Sequence, residues 1–243
     1  MTNGTEIFAR YAYAPNRLGF CGPPEAVALR GGSDADVRAV ARQFSGAWPY
    51  LWAMSRLTGI SDPLDYRLVE SYWLGGGVGA RLDPAAFAAE LLAVIGPLAG
   101  HYWSHLTEDL AAEAAANHCF HVFGVYPWTR LLGRDARDQP RQVLDGCRIS
   151  WGTVLDCTPT DITLSSRRLR WDGRELSLSD PEPRRAEIWT DGYSAVPDVT
   201  PGDQVAVHWN RLCGHLTSAQ VNDLELSTLR QLHVTNRRLT AAR

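Results

Sequence analysis

The sequence predicts an α+β protein in two parts. Residues 1–140 form an all-α domain, and residues 141–243 form a small antiparallel β-barrel closed by a C-terminal helix. Three observations carry this. Up to about residue 140, apolar residues recur at helical spacing between capping signals. Beyond it, short alternating runs flank the turn signals Asp172-Gly173 and Pro201-Gly202-Asp203. Thr217 followed by Gln220 then reads as a capping box that opens a last helix.

The first stretch, residues 8–24, is aromatic and punctuated by Pro15-Asn16, Gly19 and Gly22, and reads as an ordered arm packed on the helices. Cys21 lies in its glycine-flanked loop and reads as a small apolar filler. Ser33 or Asp34 caps a segment through about Leu57, with Pro49 predicting a kink or a division into two helices. Asp62-Pro63 starts a helix that Gly75-Gly76-Gly77 ends; following a helix and lacking lysine, the triple glycine is no phosphate loop. Asp83-Pro84 starts another helix to about Ile95, and Thr107 caps one running through Cys119 or beyond. Residues 133–140 read as a polar linker.

In the second part, Cys147 heads an alternating strand, Asp172-Gly173 centres a hairpin, and Gln204 to Trp209 alternates after the proline–glycine–aspartate turn. His208 falls on the strand face opposite Val205 and Val207. The basic pairs Arg167-Arg168 and Arg184-Arg185 read as solvated turns.

Cysteine, strand, hairpin, turn, histidine and helix occur here in an order that resembles the HypC/HupF hydrogenase assembly chaperones, over about residues 145–232. The resemblance implies a HypC-like, OB-like barrel. It also implies that Cys147 and His208 ligate iron, carried as the Fe(CN)2(CO) unit. The implied role is that of a chaperone in nickel–iron hydrogenase maturation, with a maturation scaffold or the hydrogenase large subunit as partner. The helical domain would be its docking module. Unlike the family's cysteine, Cys147 is internal and has less reach.

A second set of donors lies in the helical part. His101 and His105, spaced i, i+4, would share a helix face, as would His118 and His121, spaced i, i+3. These support an alternative reading, a metal-dependent oxidase or lyase housed in the helical domain. Helical di-metal sites use Glu-x-x-His pairs, and the chain has none.

Composition narrows the classes. A net charge of −3 gives no basic footprint for nucleic acid, and every basic residue is arginine, which excludes lysine-based covalent chemistry. The sequence shows neither an apolar run of roughly 20 residues nor a signal-peptide core, which predicts a cytoplasmic protein without membrane contact. Five cysteines at irregular spacing do not read as a disulfide framework. Hydrolase, metalloprotease and dinucleotide motifs are absent from the sequence.

Overall fold

The computed structural model describes residues 3–95, 108–134 and 138–241, and within them the protein is mixed α+β. The chain opens not as an arm but as helix α1 (Gly4–Arg17), capped by Asn3 and with Pro15 in its last turns. Proline has no N–H to give the carbonyl four residues back, and its ring pushes that carbonyl aside. Pro15 therefore leaves the Tyr11 carbonyl without its helical partner.

Pro49 sits in the first turn of α3 (Ala47–Thr58), where a missing N–H costs nothing, so the preceding segment ends as a separate helix α2 (Asp34–Ala41). Ser33 and Asp36 form the capping box of α2. Asp65, not Asp62, caps α4 (Tyr66–Leu74). Gly75, Gly76 and Gly77 follow with positive φ, and a Cβ on Gly76 would meet the Asp223 carboxylate at 2.1 Å. The glycines thus let this loop lie directly against the C-terminal helix. After α5 (Pro84–Ile95) the helical part continues as short pieces. A 3-10 turn spans Glu108–Glu113, α6 spans His118–Phe120 with a π-helical extension over His121–Val125, and a second 3-10 turn spans Pro127–Leu131.

The expected strand at Cys147 begins later. Gln139–Cys147 is helix α7, and β1 runs Ser150–Cys157, so Cys147 ends a helix instead of heading a strand. β1 pairs antiparallel with β2 (Asp161–Ser166), and β2 with β5 (Glu182–Glu187). β6 (Gln204–His208) pairs with β1 and with β7 (Arg211–His215). The order is β1-β2-β5-β7-β6. The β5–β7 junction is one parallel pair, Glu187 with Arg211, which corrects the all-antiparallel expectation. Asp172-Gly173 turns the expected hairpin, β3 (Leu169–Trp171) with β4 (Leu176–Leu178), and Asn236 bonds both backbone groups of Leu176.

Thr217 and Gln220 cap the long helix α8 (Ser218–Ala241) as the sequence predicts. One apolar cluster runs through both parts of the chain, from Phe8, Tyr50 and Trp73 to Val154, Val207 and Leu224. Tyr13 of α1 donates to the Leu212 carbonyl of β7 at 2.8 Å, so the first helix packs directly on the sheet. Among the described residues no helix is long and apolar enough to cross a membrane.

Candidate metal centre

Three buried donors meet where helices and sheet join: His118 at the start of α6, Cys147 at the end of α7 and His208 at the end of β6. One ligand atom from each lies within 4.8 Å of the others. Their exposures are 5%, 7% and 1%.

Each element is held in place by groups that its neighbours leave unpaired. The last carbonyls of a helix have no intrahelical partner. In α7 two of them are taken: the Trp209 amide donates to the Gly146 carbonyl at 2.9 Å, and His118 Nε2 lies 2.9 Å from the Cys147 carbonyl. The Tyr11 carbonyl, freed by Pro15, lies 2.7 Å from His208 Nδ1. A carbonyl only accepts, so both ring nitrogens facing one must carry the proton. That fixes the tautomers, leaving His118 Nδ1 and His208 Nε2 as lone pairs. Metal-bound histidines have this arrangement, with the far nitrogen donating to a carbonyl and the near one basic. His118 Nδ1 faces the Tyr72 hydroxyl at 3.1 Å, and His208 Nε2 is buried with no partner.

A second anchor sets the end of α7. Asp145 accepts from Arg148 Nε at 3.0 Å and from the Leu169 amide at 2.9 Å, while Arg184 lies 3.5 Å from its other oxygen. Arg148 is 1% exposed and also donates to the Arg167 carbonyl. Arg184, expected in a solvated turn, is a buried residue of β5. The expectation failed because β5 alternates between solvent and interior, and Arg184 falls on its buried face, where the Asp145 carboxylate meets it.

Burial governs protonation at the centre. It pushes the Cys147 thiol up to about 12 and holds His208 down to about 4. His118 is lowered well below its ordinary value by burial, with the neighbouring His208 and His121 adding to the effect. At neutral pH the three groups are a neutral thiol and two neutral imidazoles. A metal binding there must displace the thiol proton, as thiolate sites generally require.

The donors line a cavity of about 20 Å3 that also takes in Cys21, His121, Tyr72 and Trp73. That volume suits one water or one ion. His121 is buried, its Nδ1 has no partner, and its ring centre is 5.8 Å from that of His118. A Cβ on Gly46 would stand 2.9 Å from His121 Nε2, so glycine is what lets the imidazole sit there. Imidazole and thiolate together suit zinc, copper, iron or nickel. With two oriented imidazoles, one thiol and an orphaned buried nitrogen, the residues fit a first-row transition ion.

Sequence reasoning paired Cys147 with His208, and the structure brings them together. It placed His118 and His121 in a separate helical site; the structure moves both to the Cys147 cavity. His101 and His105 lie outside the described residues. Cys21 was read as filler, yet it shares this cavity. Its one sequence signal is its place in a glycine-flanked loop a few residues beyond a helix-breaking proline.

No curated protein and no solved structure matches the chain. Its sequence matches a family of unknown function, DUF6390, over residues 1–242, and the chain belongs to that family.

Proposed function

We propose that this protein is a metal-holding accessory of nickel–iron hydrogenase maturation, with iron ligated by His118, Cys147 and His208. The observation that carries the reading is the convergence of the three donors, with both imidazoles anchored to carbonyls that proline and a helix end leave free. The HypC/HupF resemblance picks out Cys147 and His208 independently, from the order of motifs around a small barrel. His118 adds a ligand from the helical part, which would make that part a contributor to the site as well as a docking module. Iron bound here would be cargo, for a maturation scaffold or a hydrogenase large subunit.

The cavity limits what can be carried without movement. A volume of about 20 Å3 accepts an ion, whereas each diatomic ligand of Fe(CN)2(CO) needs at least the room of a water molecule. Holding that unit requires the pocket to open.

The test is metal analysis with infrared spectroscopy on protein purified anaerobically from its own host. Stoichiometric iron with cyanide and carbonyl bands, both lost in Cys147→Ser, is the expected result. Metal without such bands, still lost in Cys147→Ser, keeps the centre and removes the hydrogenase role. Metal insensitive to Cys147 sinks the ligand assignment.

A further inference from the structure

Cys147 is well placed to hold a metal and badly placed to receive one. It is buried at the end of a helix whose carbonyls are tied down on two sides. Among the described histidines and cysteines lining the cavity, Cys21 alone is half-buried as a residue, although burial raises its thiol above the ordinary value as it does that of Cys147; the others are buried.

The loop that carries Cys21 is a built structure. Asn16 donates to the carbonyls of Cys21 (2.9 Å) and Pro23 (2.7 Å) and accepts from the Ala26 amide (3.1 Å). Gly22, at φ 77°, lies so close to the Phe44 ring that a Cβ would meet it at 2.4 Å. The backbone on either side of Cys21 is therefore held by Asn16 and packed against Phe44. The preceding residue, Phe20, stacks on Trp209 with ring centres 3.9 Å apart and planes 12° from parallel. Trp209 is the residue whose amide caps α7, and it holds a positive φ of 51°, an uncommon backbone state for a bulky side chain. Phe20 is 41% exposed, so the stack forms a cover at the surface beside the cysteine. Inside, the unpartnered nitrogens His208 Nε2 and His121 Nδ1 belong to residues that line the same cavity.

We propose that Cys21 is the port ligand of the pocket. It takes a thiophilic divalent metal ion from solvent or from a thiolate-bearing donor and passes it inward to Cys147. This rests on the metal-holding reading above. The transfer is ligand exchange without redox change. A bond from Cys21 Sγ to the metal forms as a ligand of the incoming ion leaves. A bond from Cys147 Sγ forms next, and the Cys21 bond breaks. Each thiol releases its proton to water on binding, and Cys21 takes one back when it lets go. Exchange of this kind needs two thiols on one cavity, one reachable and one retained.

The test uses the full chain, reduced and anaerobic, with Co(II) as probe. Thiolate-to-cobalt absorption reports binding, and EDTA challenge reports release. Wild type, Cys21→Ser, Cys21→Ala, Cys147→Ser and Cys157→Ser are compared, with thermal melting to show that each is folded. The Cys21 variants should bind one equivalent while loading and release slow by about tenfold or more. Cys157→Ser, at the other half-buried cysteine, should behave as wild type, and Cys147→Ser should lose the absorption. Wild-type exchange rates in both Cys21 variants would overturn the port and leave the centre standing. Folded Cys21 variants without binding would make Cys21 a retained ligand, which also overturns it. A wild type that binds no cobalt would overturn the centre and the port together.

Discussion

Two polar clusters lie buried on either side of the end of α7, and they are built on opposite principles. Asp145, Arg148 and Arg184 are oppositely charged groups with partners: carboxylate, guanidinium, main-chain amide and carbonyl all meet. Two residues from Asp145, Cys147 joins His118 and His208 in a cluster of depressed basicity and raised thiol pKa, with one nitrogen left bare. Buried polar groups are normally satisfied, because an unpaired one costs about 1–3 kcal/mol. The first cluster follows that rule and serves to hold the helix. The second breaks it: His208 Nε2 is left bare where three possible ligand atoms converge. The contrast separates scaffold from centre more sharply than burial alone, since both clusters are equally hidden.

The largest expected effect comes from breaking the paired cluster. Asp145→Ala leaves Arg148 and Arg184 buried without their carboxylate and should cost about 3–5 kcal/mol of stability by urea unfolding. A loss below 1 kcal/mol would show that solvent reaches these guanidinium groups.

Acid attacks the other cluster and His121, which lies beside His118. His121 and His208 are held down to about 4 by burial, against an ordinary value of 6.5. Between those values the unfolded chain takes up protons that the folded chain refuses. Their stabilising contribution is thus whole above pH 6.5 and declines as pH falls toward 4. The slope should approach about 1.4 kcal/mol per pH unit for each histidine. Unfolding curves of metal-free protein at stepped pH measure it, and a flat profile would mean that these imidazoles are hydrated.

The smallest effect on stability should accompany the loss of a ligand. His208→Leu removes an unpaired nitrogen but strands the buried Tyr11 carbonyl, so the net cost should be about 1–3 kcal/mol. Cobalt binding should disappear. A variant that keeps binding, or one destabilised as much as Asp145→Ala, would place His208 with the scaffold.

Much of the fold was legible where local chemistry decides it. Asp83-Pro84 starts α5, Thr217 and Gln220 cap α8, and Asp172-Gly173 turns a hairpin. Reading failed where distant contacts override local signals. Pro15 and its neighbours argued for an irregular arm, but a helix tolerates proline when another group takes the carbonyl it frees, and that group is 197 residues along the chain from the carbonyl. β7 was missed because Arg211 to His215 shows no clean alternation, and because Trp209 and Asn210 make a left-handed turn without glycine. Cys147 and His208 were legible as a pair through the order of motifs. His118 joining them was not, since nothing in its local sequence points to α7.

Pro15 has a consequence in time as well as in space. The carbonyl that it frees is synthesised 197 residues before the imidazole that takes it. A nascent chain can finish α1 to α7 before His208 exists, so the three donors cannot meet until β6 has been made. A metal ion meeting the unfinished chain would find cysteines and histidines, but not the pocket. Synthesis as far as β6 is what brings the three donors together.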